Sequence, residues 1–439
     1  MTGQRADSLE QEIAPAPKTA PPAPDDASQK IEFGTPAFIR TICALFAAGF
    51  ATFALLYCVQ PLMPVFSASF HVSAAGASLA LSLTTGLLAI SMLVAGGLSE
   101  AWGRKPMMVG SLFLSAVLGM LSSVLPHWAA LLATRALMGV ALSGLPAVAM
   151  AYVGEEMHPR SLGIAMGLYV GGTGLGGMSG RLLTGVVTDL WGWRTAVMTM
   201  AVLAALCALV MWRYLPASRH FVRRPLHLGA LGKTYALQLR DRMLRSFFAE
   251  GFLLAGAFVT VYNYIGYRLV APPFSLSQTE IGLIFAVYLC GIVSSAWIGG
   301  LAGWLGPQKV LPITLGLMLA GTVLTRAGSL PVVVIGIAVL TIGFFGSHSV
   351  ASASVSSRAQ TSRAQASSMY LFSYYAGSSV VGSLGGVFWS IDGWSGVTWM
   401  TGSLLLAAIV IALWPPGEFS REQPVVPNHH GAAGRDVRY

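Results

Sequence analysis

The chain has 439 residues, of which 10% are Asp, Glu, Lys or Arg and 55% are hydrophobic. A soluble domain carries about 25% charged residues, so a water-facing surface over most of this chain is excluded. The mean hydropathy of +0.68 and the 50 glycines point instead to helices packed closely in lipid. The net charge of +9 is scattered over short segments between apolar runs, which argues against nucleic acid as a partner.

Residues 1–37, rich in Pro and Ala and without an apolar h-region, are expected to form a disordered tail with no cleavable signal peptide. Twelve apolar runs follow, at 38–66, 74–98, 106–125, 128–153, 161–187, 193–215, 246–269, 278–302, 308–327, 330–355, 364–389 and 395–414. Each can cross a hydrocarbon core of ~30 Å, which takes about 20 helical residues. Helices are required because backbone amides in lipid need partners and the runs are too long and too uniformly apolar for barrel strands. The longest polar interruption falls after the sixth run, giving a first six-helix bundle at 38–215, a linker at 216–245, a second bundle at 246–414 and a second tail at 415–439. Basic residues concentrate in one set of loops (Arg104, Lys105, Arg160, the 213–245 stretch, Lys309, Arg358, Arg363), against Arg194, Arg268 and Arg326 in the other. The positive-inside rule then puts both termini in the cytoplasm.

An offset of 203 residues pairs Gln60 with Asn263, Gly103 with Gly306, Arg160 with Arg363, Gly174 with Gly377 and Trp191 with Trp394. The expected fold is therefore an all-α membrane protein, twelve transmembrane helices in two pseudo-symmetric six-helix bundles around a midplane site. The four cysteines lie far apart in apolar runs without metal-ligand spacing, and no metal or cofactor is expected.

The loop after the second run reads GGLSEAWGRKPMMVG, with Gly96, Leu98, Glu100, Gly103, Arg104 and Lys105 at the spacing of a charged turn able to gate one side by making and breaking ion pairs. Arg135 and Gly139 stand in the fourth run, and GLYVGGTGLGGMSGR fills the fifth. These three features resemble the motifs of the major facilitator superfamily, and the runs LYCVQPLMP, GGMSGRLLTG and YNYIGYRL look like its YnfM-like bacterial exporters. The resemblance covers nearly all of 38–414. It departs from the family pattern at Glu100, where Asp is commoner, in the fifth run, which lacks a Gly-Pro pair, and in the second loop copy, which has Gly303 in place of the acid. What the resemblance implies is the superfamily fold, transport and a location in the bacterial inner membrane. The fifth run would imply export, or close helix packing alone.

Tyr57, Gln60, Pro61 and Pro64 share one face of the first span, and the prolines are expected to kink it. Tyr57 and Gln60, with Tyr262 and Asn263 of the seventh span, His348 of the tenth, Tyr370 and Tyr374 of the eleventh and Arg135 of the fourth, are the candidate solute-binding residues. Taken singly, each has a plainer reading as a helix-helix hydrogen bond or an interfacial aromatic. Arg135, roughly 10 Å deep at ~1.5 Å per residue, faces a polar interior or snorkels. Arg181 is expected at the membrane interface. Glu250, His348 and Arg135 are the proton-coupling candidates, Glu250 sitting roughly one turn into its span. The functional expectation is a proton-coupled exporter of a small organic solute, not an enzyme, acting as a monomer among lipid. An importer of the same fold, or a receptor that binds without moving solute, is the alternative.

Overall fold

A computed structural model of the protein describes residues 30–221, 228–359 and 363–414. The expected tail segments 1–29 and 415–439 lie outside the described residues. The first half runs through α1 (Pro36–Tyr57), α2 (Met63–Phe70), α3 (Ala74–Trp102), α4 (Arg104–Val124), α5 (Trp128–Leu142), α6 (Pro146–Glu156), α7 (Pro159–Trp191) and α8 (Trp193–Tyr214). A linker helix, α9 (Leu228–Gln238), leads to α10 (Arg242–Val270), α11 (Gln278–Ile284), α12 (Tyr288–Leu305), α13 (Pro307–Leu324), α14 (Leu330–Arg358) and α15 (Arg363–Leu413).

Among the described residues ten segments are long and apolar enough to cross a membrane, with α5–α6 and α11–α12 each forming one interrupted span. Two further crossings have physical reasons to escape a hydropathy criterion. Glycine dilutes the apolar character of the 33-residue α7. The 51-residue α15 folds back where Asp392 and Gly393 leave helical geometry, so it crosses twice. The chain therefore spans the membrane twelve times, in two halves of six.

Proline punctuates the spans as expected. Pro61 and Pro64 carry no amide hydrogen, and the first span breaks between Tyr57 and Met63. The fourth breaks just before Pro146. Residues 30–35, expected in the tail, are ordered against the first half: the Ile31 amide donates to the Glu156 carbonyl and the Phe33 amide to Ser161 Oγ, both at 2.9 Å. The seventh span also begins earlier than expected, because the Asp241 carboxylate caps α10 through the amides of Met243 (2.8 Å) and Leu244 (3.2 Å). Glu250 thus lies about two turns inside its helix, at 3.6 residues per turn.

The internal repeat is visible in backbone angles. Gly103 (φ 106°, ψ 146°) and Gly306 (φ 88°, ψ 143°) end one helix and open the next in a region that only glycine occupies without strain. They stand 203 residues apart. By α7 and α15 the register has shortened by two. Gly192 and Gly393 make equivalent turns, and buried Trp193 and Trp394 follow them, whereas Trp191 is 66% exposed. Likewise Gly176 and Gly377 hold matching positions: an added Cβ would lie 2.1 Å from the Phe50 carbonyl and 2.0 Å from that of Phe252. Trp193 therefore replaces Trp191 as the partner of Trp394, and Gly176 replaces Gly174 as the partner of Gly377.

The glycine-dense fifth span has a packing reason. Gly172, Gly176 and Gly180, one turn apart, face the backbone of Phe46, Phe50 and Ala54 with no room for a Cβ. Such a stripe lets α7 lie directly on α1.

The halves meet along α3 with α15, α7 with α11 and α2 with α10. These contacts belong to one end of the molecule, opposite the basic loops. Gly86 touches Ser379, yet Ile90 and Val94, further along the same face of α3, are exposed. Gly174 touches Ile292, while Gly171 and Gly167 on that face of α7 meet nothing within 4 Å. The halves are joined at one end and parted at the end that carries the basic loops.

Candidate solute-binding site

The site begins at the break in the first span. Once α1 stops at Tyr57, the carbonyls of Leu55 and Leu56 lose helical partners. Arg135 supplies donors: Nη1 to Leu55 O and Nη2 to Leu56 O, both 2.9 Å, with Nε to Ala80 O at 2.8 Å. Gly139 brings α5 close enough to α3 for this reach, since a Cβ there would lie 2.2 Å from the Thr84 carbonyl. Arg135 is thus committed to carbonyls within the first half, where the sequence had suggested a polar interior facing solute.

Beyond that break lies a chain of polar groups between the halves. Arg181 is fully buried, not interfacial. Its Nε donates to Gln60 Oε1 at 2.6 Å, its Nη1 to Gly177 O at 2.6 Å and its Nη2 to Tyr288 Oη at 3.0 Å. Arginine is only a donor, so Gln60 must present its oxygen there and its amide nitrogen to Asn263, and Nε2 donates to Asn263 Oδ1 at 2.8 Å. The repeat-related pair Gln60 and Asn263 therefore meets directly on the pseudo-symmetry axis. The guanidinium carbon lies 4.4 Å from the Tyr57 ring centre, 4.5 Å from that of Tyr288 and 5.4 Å from that of Tyr262. Cation–π attraction and the hydrogen bonds together hold a charge that burial alone would penalise.

From this cage the rings continue into the second half. Tyr262 hydrogen-bonds Thr341 Oγ1 at 2.7 Å. Tyr57 reaches across to Tyr374, whose ring centre lies 5.0 Å from that of His348. His348 Nδ1 and Tyr370 Oη are 3.0 Å apart. Gly251 leaves Tyr370 room beside the turn that carries Glu250. Glu250 is buried, and its Oε2 has no hydrogen-bond partner among the described residues. It borders a cavity of about 20 Å³ lined by Met243, Phe247, Pro307 and Leu311, enough for one water, which needs about 10–15 Å³. The structure thus gathers Tyr57, Gln60, Tyr262, Asn263, His348, Tyr370 and Tyr374 and sets Glu250 behind them.

Around the site the two ends differ. At the joined end the Asp189 carboxylate accepts from the Thr279 amide (2.7 Å) and Thr279 Oγ1 (2.6 Å), clasping the N-terminus of α11 from the other half. Tyr267 Oη pairs with Ser67 Oγ at 2.7 Å, and Ser379 Oγ donates to Ser82 O at 2.7 Å. At the parted end the signature loop bonds within its own half. Arg104 pairs with Glu155 at 2.7 Å and Glu100 at 3.7 Å, and it donates to Ser99 Oγ and Gly96 O. Lys105 Nζ donates to Leu215 O. Half-buried Leu98 and the Gly103 turn complete the loop.

Arg181, Tyr288 and Asp189 were not among the sequence candidates. For Arg181 a signal existed: it directly follows Gly180, the last member of the stripe that seats α7 on α1, so its side chain had to leave beside a packed face.

Comparison with known proteins agrees with this architecture. The sequence model of the Major Facilitator Superfamily matches residues 45–273. The chain is 48% identical over 391 residues to the uncharacterized MFS-type transporter YybF of Bacillus subtilis, covering 89% of this chain and 96% of that protein. It is 46% identical over 400 residues to the inner membrane transport protein YnfM of Escherichia coli, covering 91% of this chain and 95% of that protein. Among solved structures, the nucleoside transporter NupG superposes with a TM-score of 0.72 at 14% identity over 85% of this chain and 99% of NupG.

Proposed function

The chain belongs to the major facilitator superfamily of membrane transporters, and we propose that it is a proton-coupled exporter of a small organic solute working by alternating access. The basic loops and both termini face the cytoplasm of a bacterial cell in this reading. The observation that carries it is the division of the interface between the halves, bonded from Asp189–Thr279 down to Gly174–Ile292 and parted beyond. A site placed where joined and parted stretches meet is reached from one side now and from the other after the halves rock.

Glu250 is the coupling group in this proposal. A buried carboxyl with an unpartnered oxygen beside a water-sized cavity can take a proton in one state and release it when its access to water changes. Tyr370 links its surroundings to His348, whose half-buried ring lies near the solute path. Export is the direction that the likeness to the YnfM-like exporters suggests, although the fifth span lacks the Gly-Pro pair and its glycines already have a packing role.

The test is flux across proteoliposomes and inverted vesicles over a compound panel, with and without an imposed pH gradient. Gradient-driven flux should disappear in the Glu250→Gln, His348→Gln double variant while solute counterflow persists. Undiminished gradient-driven flux in that variant would remove both residues from coupling, and movement only into the cytoplasm would reverse the direction.

A further inference from the structure

We infer that the transported solute is an organic monoanion, a carboxylate on an aromatic or otherwise flat apolar body, and that Arg181 with Asn263 reads its charge. The inference rests on the transport reading above and adds a substrate class to it.

Arg181 has five N–H donors, and its described hydrogen bonds go to Gln60, Gly177 and Tyr288. No described carboxylate forms an ion pair with it. Because arginine forces the orientation of Gln60, and Gln60 forces that of Asn263, the relay ends on the Asn263 amide nitrogen. That nitrogen is buried and has no hydrogen-bond partner among the described residues. Ser82 Oγ, equally buried, makes no hydrogen bond there either. Both pack beside Gly382, where an added Cβ would lie 3.2 Å from Asn263 Nδ2 and 3.7 Å from Ser82 Oγ. The polar ligands at the meeting of the halves thus form one polarised chain with a full positive charge at one end and spare donors at the other.

A site with surplus donors and a buried cation that no described carboxylate pairs with selects by charge. A cationic solute would meet the guanidinium in a weakly screened interior, and like charges repel strongly there. A carboxylate meets a planar fork that matches it with two parallel hydrogen bonds. The walls are rings: Tyr57, Tyr262 and Tyr288 surround the guanidinium. Tyr57 hydrogen-bonds Tyr374, whose ring centre lies 5.0 Å from that of half-buried His348. Flat apolar surface beside a charged head is the shape such walls accept.

The test uses matched probes on the purified full chain in detergent: benzoate and a panel of aromatic and aliphatic monocarboxylates, each with its neutral amide and its cationic amine. Thermal stabilisation and equilibrium dialysis read binding, and proteoliposome flux reads transport. At least one carboxylate should bind while its amide and amine do not. Arg181→Gln should weaken that binding by about 10- to 100-fold, the range set by losing hydrogen bonds to a charged group. Arg181→Lys should recover part of it. Asn263→Asp, which puts acceptors where the spare donors stand, should weaken carboxylate binding without involving Arg181 directly. Size-exclusion profiles identify any variant that fails to fold, and the Lys and Asp variants then carry the decision. Binding and transport of amines or amides by the wild type, unaffected by Arg181→Lys and Asn263→Asp, would overturn the anion inference and leave the transporter reading standing. So would a panel in which no carboxylate binds. Loss of all pH-gradient-driven flux for every probe would count against proton coupling instead.

Discussion

At the basic end the first half turns at Gly103 and ties the turn down with Arg104 against Glu155. The second half makes the same turn at Gly306, with Pro307 where the arginine would be and Gly303 where Glu100 would be. Deeper in the membrane the contrast reverses sign. The first half holds two buried arginines, Arg135 and Arg181, both hydrogen-bonded, whereas the second holds the buried carboxyl of Glu250 with one oxygen unpartnered. Backbone geometry and charge are therefore separate layers of the repeat. Glycine at the turns and at the helix crossings maintains the duplicated scaffold, and each half carries its own electrostatics: fixed cations on one side, a titratable acid on the other.

If the scaffold layer is truly duplicated, equivalent glycines must respond equally. Gly176→Ala and Gly377→Ala each place a Cβ within about 2 Å of a backbone carbonyl, and neither helix can yield without moving its partner. Each should cost about 3 kcal/mol, the upper range for overpacking, read as a lowered unfolding temperature in detergent. A large loss in one half and none in the other would break the comparison. A smaller effect is expected at the turns. Gly103→Ala and Gly306→Ala should each cost about 1–2 kcal/mol, because both positions have positive φ in a region closed to alanine. Arg104→Gln should destabilise the first half alone, and Pro307→Gln at the equivalent position should leave stability within about 0.5 kcal/mol. Matching losses for these two substitutions would show that the turn, not the charge, decides stability at this end.

The twelve crossings were legible because hydrocarbon tolerates little besides long apolar helices, and the break in the first span was legible because Pro61 and Pro64 lack donors. The repeat was legible where turns demand glycine, as at Gly103 and Gly306. It was misaligned by two residues around Trp191, since Trp191 and Trp193 flank Gly192 and an ungapped register meets the wrong one of the two. Arg181 and Arg135 show where sequence stops informing. Depth along a span can be counted from its ends, but the partner is set by tertiary neighbours: two carbonyls freed by a break in α1 and one from α3 for Arg135, and a glutamine and tyrosine rings from other helices for Arg181. Asp189 gave no such signal, because its grip on the N-terminus of α11 depends on how the halves dock.

A local effect separates the halves by pH. The first span is capped by a neutral group, Thr35 Oγ1 accepting from the Phe38 amide at 3.1 Å, while the seventh is capped by the Asp241 carboxylate. Burial of Asp241 opposes its ionisation. The amide of Leu244, the guanidinium of Arg358 at 3.0 Å and the amide of Met243 outweigh that burial and hold the carboxyl below its ordinary range. A carboxyl whose folded value is depressed stabilises fully above its unfolded value, about 3.9, and loses that contribution as pH falls through the lower folded value. The cap accounts for about 1 kcal/mol, and the half-exposed Arg358 adds little through water. Amide exchange of Met243 and Leu244, corrected for intrinsic rates, should therefore lose protection as pH falls below the ordinary carboxyl value of about 3.9 while that of Phe38 does not. Asp241→Asn, which keeps a capping oxygen but cannot titrate, should abolish the difference. Equal loss at both caps would mean that acid acts on the whole scaffold and not on the half that carries the acid.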